Sequence, residues 1–140
     1  PLYAEVHRLT SLAADICHQV LMRVLPGAAA AEFTPFAQGV NRLQELLGAH
    51  FAPAQCGSPW TSPAIGRLMQ WLRLSAGDAA AIGQSSWGPT GFAVVASDAA
   101  ARSALEAARA AGMIDARLDV RVVSPRSCGA RVDLRTMPAP

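Results

Sequence analysis

The sequence predicts an α+β domain, an antiparallel sheet with helices packed on one face, and three observations carry that expectation. Apolar residues recur at steps of three and four through the first half of the chain. Short Val- and Ala-rich runs and strict apolar–polar alternation replace them in the second half. Proline, glycine and small polar residues punctuate the boundaries. The 140 residues are 51% hydrophobic and 16% charged, which is one domain's worth of chain, able to close an apolar core without disulfides or a structural metal.

Leu2, Val6, Leu9, Ala13, Ile16, Val20 and Val24 share one helical face, so residues 2 to 25 read as a long amphipathic helix ended by Pro26-Gly27. Thr34-Pro35 pairs an N-cap with a proline in the first turn, Phe36, Val40, Leu43 and Leu47 make the stripe of the second helix, and Gly48 is its expected stop. Phe51 to Thr61 reads as a loop. Ser62-Pro63 repeats the helix-start signal, followed by Ile65, Leu68, Met69 and Leu72 up to Gly77. Ala79 to Gly83 and Phe92 to Ala96 then read as two strands joined by a loop, and Ser97-Asp98 caps an Ala-rich helix with Leu105 and Ala108 inward, closed by Gly112. Leu118, Val120 and Val122, and then Ala130, Val132 and Leu134, alternate with charged residues and predict two more antiparallel strands around a turn.

All twelve basic residues are arginine, so lysine chemistry (a Schiff base, a phosphate-loop lysine, an S-x-x-K nucleophile) is excluded from this chain. A net charge of +2 with scattered arginines carries no nucleic-acid footprint. The sequence has no membrane-length apolar run and no signal peptide, and Cys17, Cys56 and Cys128 lack C-x-x-C spacing; a cytoplasmic location is the expectation. The chain opens on Pro1-Leu2 without Met, which suggests the C-terminal part of a longer protein.

No metal site is expected. His7 and His18 lie about 16 Å apart along one helix, Cys17 and His18 diverge by about 100°, and His50 stands alone. The cysteines lack a histidine or cap that would activate them, and Asp15, Asp119 and Asp133 read as solvated faces, so the catalytic residues stay unassigned. The informative segment is Gly83-Gln84-Ser85-Ser86-Trp87-Gly88-Pro89-Thr90-Gly91. A plain hairpin has no use for an amide, two hydroxyls and an indole together. Free N–H groups at the glycines and the hydroxyls of Ser85, Ser86 and Thr90 suit an anionic oxygen, and Trp87 suits a ring. The alternative is a structural loop whose Trp87 caps the sheet. Gln55, Gly57 and Thr61 form a second loop of the same mixture, with the rival reading that Thr61-Ser62-Pro63 only starts a helix.

The run Ile82 to Thr90, with Gly91-Phe92-Ala93 after it, closely resembles a signature of β-ribofuranosylaminobenzene 5'-phosphate synthases, GHMP-kinase-like proteins of methanopterin biosynthesis. The Trp87-Gly88-Pro89-Thr90 portion is its most specific part, and Gln55, Gly57 and Thr61-Ser62-Pro63 look like the same family. The resemblance implies a GHMP-kinase C-terminal-like domain (ferredoxin-like) over 1–140, completed by a catalytic N-terminal domain absent from this chain. It implies a phosphoribosyl transferase that joins 5-phosphoribosyl diphosphate to 4-aminobenzoate or 4-hydroxybenzoate with loss of diphosphate and CO2. Mg2+ is implied for the complete enzyme, none is held by this domain alone, and a homodimer is expected, with neither nucleic acid nor membrane as partner. Substrate binding is implied for Gly83, Gln84, Ser85, Ser86, Trp87, Gly88 and Thr90, with Gln55, Gly57 and Thr61 as a second loop. Kinase relatives carry a glycine run where this chain has Gln84 to Trp87, which disfavours ATP-dependent phosphotransfer. The competing readings are a GHMP small-molecule kinase domain and a non-catalytic ligand-binding or dimerisation module.

Overall fold

A computed structural model describes residues 2–125 and 128–130. Its elements follow in the order α1 (Leu2–Gln19), α2 (Leu25–Ala30), α3 (Phe33–Phe51), α4 (Pro63–Ala76), β1 (Ala80–Gln84), β2 (Gly91–Val95) and α5 (Asp98–Ala110). The α+β class is as expected: α3, α4 and α5 pack against a two-stranded antiparallel sheet, and β2 keeps Ala93 and Val94 exposed.

The first helix does not stop at Pro26-Gly27. Pro26 has no N–H for the carbonyl four residues back, and its ring would crowd that carbonyl, so the chain widens into a π turn over Val20–Val24 and resumes as α2 with Pro26 in its first turn. The helix ends instead at Ala31, left-handed at φ +56°, where Glu32 N–H donates to the Gly27 carbonyl. Gly27 is buried because a Cβ there would stand 2.7 Å from the backbone nitrogen of Phe36; it permits the close approach of α2 to α3. Gly48 is likewise no stop. It lies inside α3, with Pro59 filling the space its side chain would need. The helix starts at Phe33 with Glu32 as an N-cap that makes no side-chain bond, ahead of the predicted Thr34 cap.

Along α1 the predicted stripe is only half realised. Ile16, Val20 and Val24 are half-buried, but Ala13 is exposed and Val6 and Leu9 are 56% and 42% exposed. The helix leans on α3, with Arg8 reaching His50 near one end and Val24, in the π turn that continues it, meeting Gly39 at the other. A single neighbouring helix covers a narrower strip than a seven-residue stripe offers.

The core proper lies elsewhere. Leu68, Met69 and Leu72 of α4, Ala80 and Ile82 of β1 and Ala108 of α5 form one buried cluster, edged by Trp60, Ile65 and Leu118. Ser62 and Ser97 cap α4 and α5 by accepting from Ile65 N–H and Ala100 N–H, as predicted. In the sheet, Ala80 pairs with Val95 and Gln84 with Gly91. Every residue of β1 is buried. Its free edge is closed by α3: Asn41 accepts from Ile82 N–H (2.8 Å) and donates to the Ala80 carbonyl (2.9 Å), and Gln44 accepts from Gln84 N–H (2.9 Å).

The third predicted strand does not form. Leu118 tucks against the core, but 118–122 makes no ladder among the described residues, and Val120 and Val122 are exposed. Alternation becomes a strand only where a neighbour accepts its hydrogen bonds and covers its apolar side. Its predicted partner, 130–134, lies outside the described residues from 131 onward. Two strands are therefore described where a ferredoxin-like sheet would have four.

Candidate functional site

The two candidate loops, far apart in sequence, come together at one end of α3. β1 ends in Gln84, whose side chain is nearly buried and turned back under the loop. Its carbonyl oxygen accepts from Thr61 N–H (2.9 Å), and its amide group donates to the Ser86 carbonyl (3.3 Å). The Thr61 hydroxyl faces the Trp87 carbonyl and stands 3.1 Å from the Gln55 carboxamide. A hydroxyl has one proton, so Thr61 donates to the Trp87 carbonyl or to the Gln55 carboxamide oxygen, the two acceptors that face it. Gln55, Thr61, Gln84 and Trp87 thus form one hydrogen-bonded unit across the two loops.

The glycines of the motif serve this packing. A Cβ on Gly83 would lie 2.4 Å from the Gln44 carboxamide carbon, so Gly83 is what lets Gln44 reach the backbone of β1. Gly88, at φ +76°, sits where a Cβ would meet the Gln84 amide at 2.8 Å and the Thr61 hydroxyl at 2.9 Å. Gly57, at φ +80°, stands in open space and serves the turn alone. Ser86 is held left-handed at φ +52°, Gly88 N–H closes the turn onto the Ser85 carbonyl at 2.9 Å, and Ser85 N–H donates to the Thr90 carbonyl at 2.8 Å.

What the loop presents outward is different. The side chains of Ser85, Ser86 and Thr90 are exposed, and their hydroxyls have no hydrogen-bond partner among the described residues. Trp87 is 57% exposed, with its ring tilted against Phe51 at a centroid distance of 4.9 Å; Phe51 in turn meets the His50 ring edge-on at 4.8 Å.

Two concavities flank the loop. The smaller, about 190 Å3, opens between α3 and the two loops and is lined by Gln44, Phe51, Gln55, Trp60, Gln84, Ser86 and Trp87, with Leu47, Gly48 and Pro59. The larger groove, about 590 Å3, lies between the start of α4, the start of β2 and the 117–119 segment; Arg67, Thr90, Arg117 and Asp119 line it. Arg117 is clamped there by Asp115, and its side-chain and backbone N–H groups hold the Asp115 carboxyl far below the usual carboxylate range. Of the predicted residues, Gln55, Gln84, Ser86 and Trp87 line the smaller cavity and Thr90 the larger one.

Gln44 and Phe51 carry no signal of the site in the sequence. Gln44 lies between the apolar Leu43 and Leu47, and periodicity cannot tell a glutamine that faces a strand edge from one that faces water. Trp60 belonged to the second loop by sequence, and its burial against Gly66 carries no periodic signal. Among the described residues no group of three His, Cys, Asp or Glu side chains comes together that could hold a metal ion, and no helix is long and apolar enough to cross a membrane.

Residues 25–113, more than half of the chain, match the family model described as GHMP kinases C terminal. No curated protein and no solved structure matches the chain.

Proposed function

The chain belongs to the GHMP kinase C-terminal family, and we propose that it is the C-terminal domain of a β-ribofuranosylaminobenzene 5'-phosphate synthase. The observation that supports this most is the division of labour in the segment that resembles that family. Gly83, Gln84, Gly88, Gln55 and Thr61 fix the loop pair internally, while Ser85, Ser86, Trp87 and Thr90 are left facing solvent between two concavities. A loop braced in this way, with unspent hydroxyls, is built to meet a ligand.

The proposed reaction joins 5-phosphoribosyl diphosphate to 4-aminobenzoate or 4-hydroxybenzoate. The bond from ribosyl C1 to the diphosphate oxygen breaks, and its electron pair leaves with diphosphate. The ring carbon bearing the carboxylate attacks the resulting oxocarbenium-like centre, and the carbon–carboxylate bond then breaks, returns its electron pair to the ring and releases CO2. Exposed hydroxyl donors lower the barrier where negative charge gathers on the leaving group or the carboxylate. Mg2+ is proposed for the complete enzyme; the described residues offer it no cluster of ligands, so its protein ligands would come from the N-terminal domain, which also completes the site. A homodimer is proposed as the assembly, to be read by sedimentation of the complete protein.

Incubating the complete protein with 5-phosphoribosyl diphosphate and carboxyl-labelled 4-aminobenzoate tests the reading: labelled CO2 and diphosphate are expected in equal amounts, and none from the 140-residue chain alone. Ser85→Ala with Ser86→Ala is expected to lower kcat/KM by about a hundredfold. ATP-dependent phosphorylation of a small alcohol, without CO2 release, would overturn the synthase in favour of a kinase. Binding without any turnover would favour a ligand-binding module.

A further inference from the structure

The smaller cavity has a composition that selects its occupant. Three aromatic side chains, Phe51, Trp60 and Trp87, stand beside three carboxamides, Gln44, Gln55 and Gln84, and among the described residues no arginine, histidine or carboxylate lines it. Its volume of about 190 Å3 exceeds the roughly 150 Å3 that suffices for one benzene ring. A diphosphate would enter as a polyanion with no cation to meet it, which low-dielectric surroundings disfavour strongly. A carboxamide can donate and accept, so it reads an uncharged polar substituent of either kind. The oxygen of Gln44 is fixed by Gln84 N–H at 2.9 Å, which leaves its –NH2 group as the donor available to an occupant.

We infer that this cavity receives a single planar ring with its uncharged polar edge inward, beside Gln44, and its charged substituent at the mouth, beside Ser86. The inference rests on the synthase reading for the identity of the ring, and it adds an orientation: the amino or hydroxyl end of the benzoate is buried and the carboxylate, the group to be lost, stays outside. Trp87, tilted against Phe51, forms the outer wall. The charged sugar substrate is excluded from the cavity.

The test is direct titration of the 140-residue chain, followed by calorimetry and tryptophan fluorescence. 4-Hydroxybenzoate and 4-aminobenzoate are expected to bind saturably at millimolar concentration or below. Terephthalate, which carries a carboxylate at both ends, is expected to bind at least about tenfold more weakly, because one charge must be desolvated without a partner. Inorganic diphosphate should not compete with the ring. Trp87→Ala should weaken ring binding roughly tenfold through lost stacking; Trp87 is exposed, so this variant leaves the core intact. Gln44→Glu keeps an acceptor for Gln84 N–H but brings a negative charge into the cavity, and should weaken both benzoates by about tenfold or more while the fold persists. Should Gln44→Glu fail to fold, Trp87→Ala alone decides. Failure of both benzoates to bind, equal affinity for terephthalate, or unaltered affinity in Trp87→Ala would each overturn the inference. Ring binding by the chain without CO2 release by the complete protein would overturn the synthase reading and leave the ring site standing. CO2 release by the complete protein, with no ring binding by the chain, would do the reverse.

Discussion

At the scale of single residues, the glycines of the signature are explained by their neighbours rather than by a ligand. Gly83→Ala would drive a Cβ to 2.4 Å from the Gln44 carboxamide carbon. The side chain must swing away and abandon Gln84 N–H, a loss of about 1–3 kcal/mol for a buried donor left unpaired. Gln44→Ala forfeits the same bond without a clash, so the two changes overlap: the double variant should be little less stable than either single one, with a coupling of about 1 kcal/mol in denaturant melts. Strict additivity would show that Gly83 is needed for something else. Neighbours also set the charge at Asp78, whose carboxyl is held below its ordinary value of 3.8, first by the Gln38 amide and then by Arg73. A depressed carboxylate stabilises the fold above pH 3.8, and that contribution disappears as pH falls through the lower folded value. Asp78→Asn should therefore lose a few tenths of a kcal/mol near neutrality, since the pair is exposed, and show a shallower loss of stability below pH 3.8. An unchanged acid limb in the melting profile would refute this role.

At the scale of elements, β1 depends on a helix for what a third strand would ordinarily supply. Asn41 gives and takes one hydrogen bond each at Ala80 and Ile82, acting as a two-residue stretch of strand on an otherwise open edge. Asn41→Ala should cost about 2–4 kcal/mol, two buried groups left unpaired. Asn41→Asp should recover only part of that loss, because a carboxylate accepts from Ile82 N–H but has nothing to donate to the Ala80 carbonyl. Equal stability of the Asp variant and the wild type in urea melts would count against this account. None of this was legible in the sequence, because Asn41 lies outside every apolar stripe. What was legible had local causes: Ser62 and Ser97 cap their helices through their own hydroxyls, and Gly77, at φ +53°, ends α4 as predicted. Signals that need a neighbour misled. Pro26 widens a helix it was expected to end, Gly48 yields to Pro59 instead of stopping α3, and 118–122 finds no strand to pair with among the described residues. The candidate site was legible as two loops of unusual composition, yet their joining through Thr61 and Gln84, and the contribution of Gln44 from α3, required the fold.

At the scale of the whole molecule, burial is distributed unevenly, and this sets the order in which the structure should open. The main cluster draws on α4, β1 and α5. α3 is tied to it by Asn41 and Gln44. By contrast, α1 rests on α3 through half-buried residues such as Leu12 and Ile16, with Val6 and Leu9 largely in water. Its exposed Arg8–Glu5 pair adds little, since both charges stay in water and are screened. Regions with few buried apolar contacts open at lower free energy than the global transition. Native-state amide exchange should therefore show Leu12 to Gln19 exchanging well before Leu68 to Leu72 and before Ala81 to Gly83. The site follows the more stable unit, because Gln84, Thr61 and Gln44 anchor its loops to β1 and α3. Low denaturant should then release α1 while the Trp87 fluorescence, read in a variant with Trp60 and Trp71 replaced by Phe and reporting the ring that lies against Phe51, stays native. Simultaneous loss of α1 protection and of the Trp87 signal would show instead that the helical arm and the site form one cooperative unit.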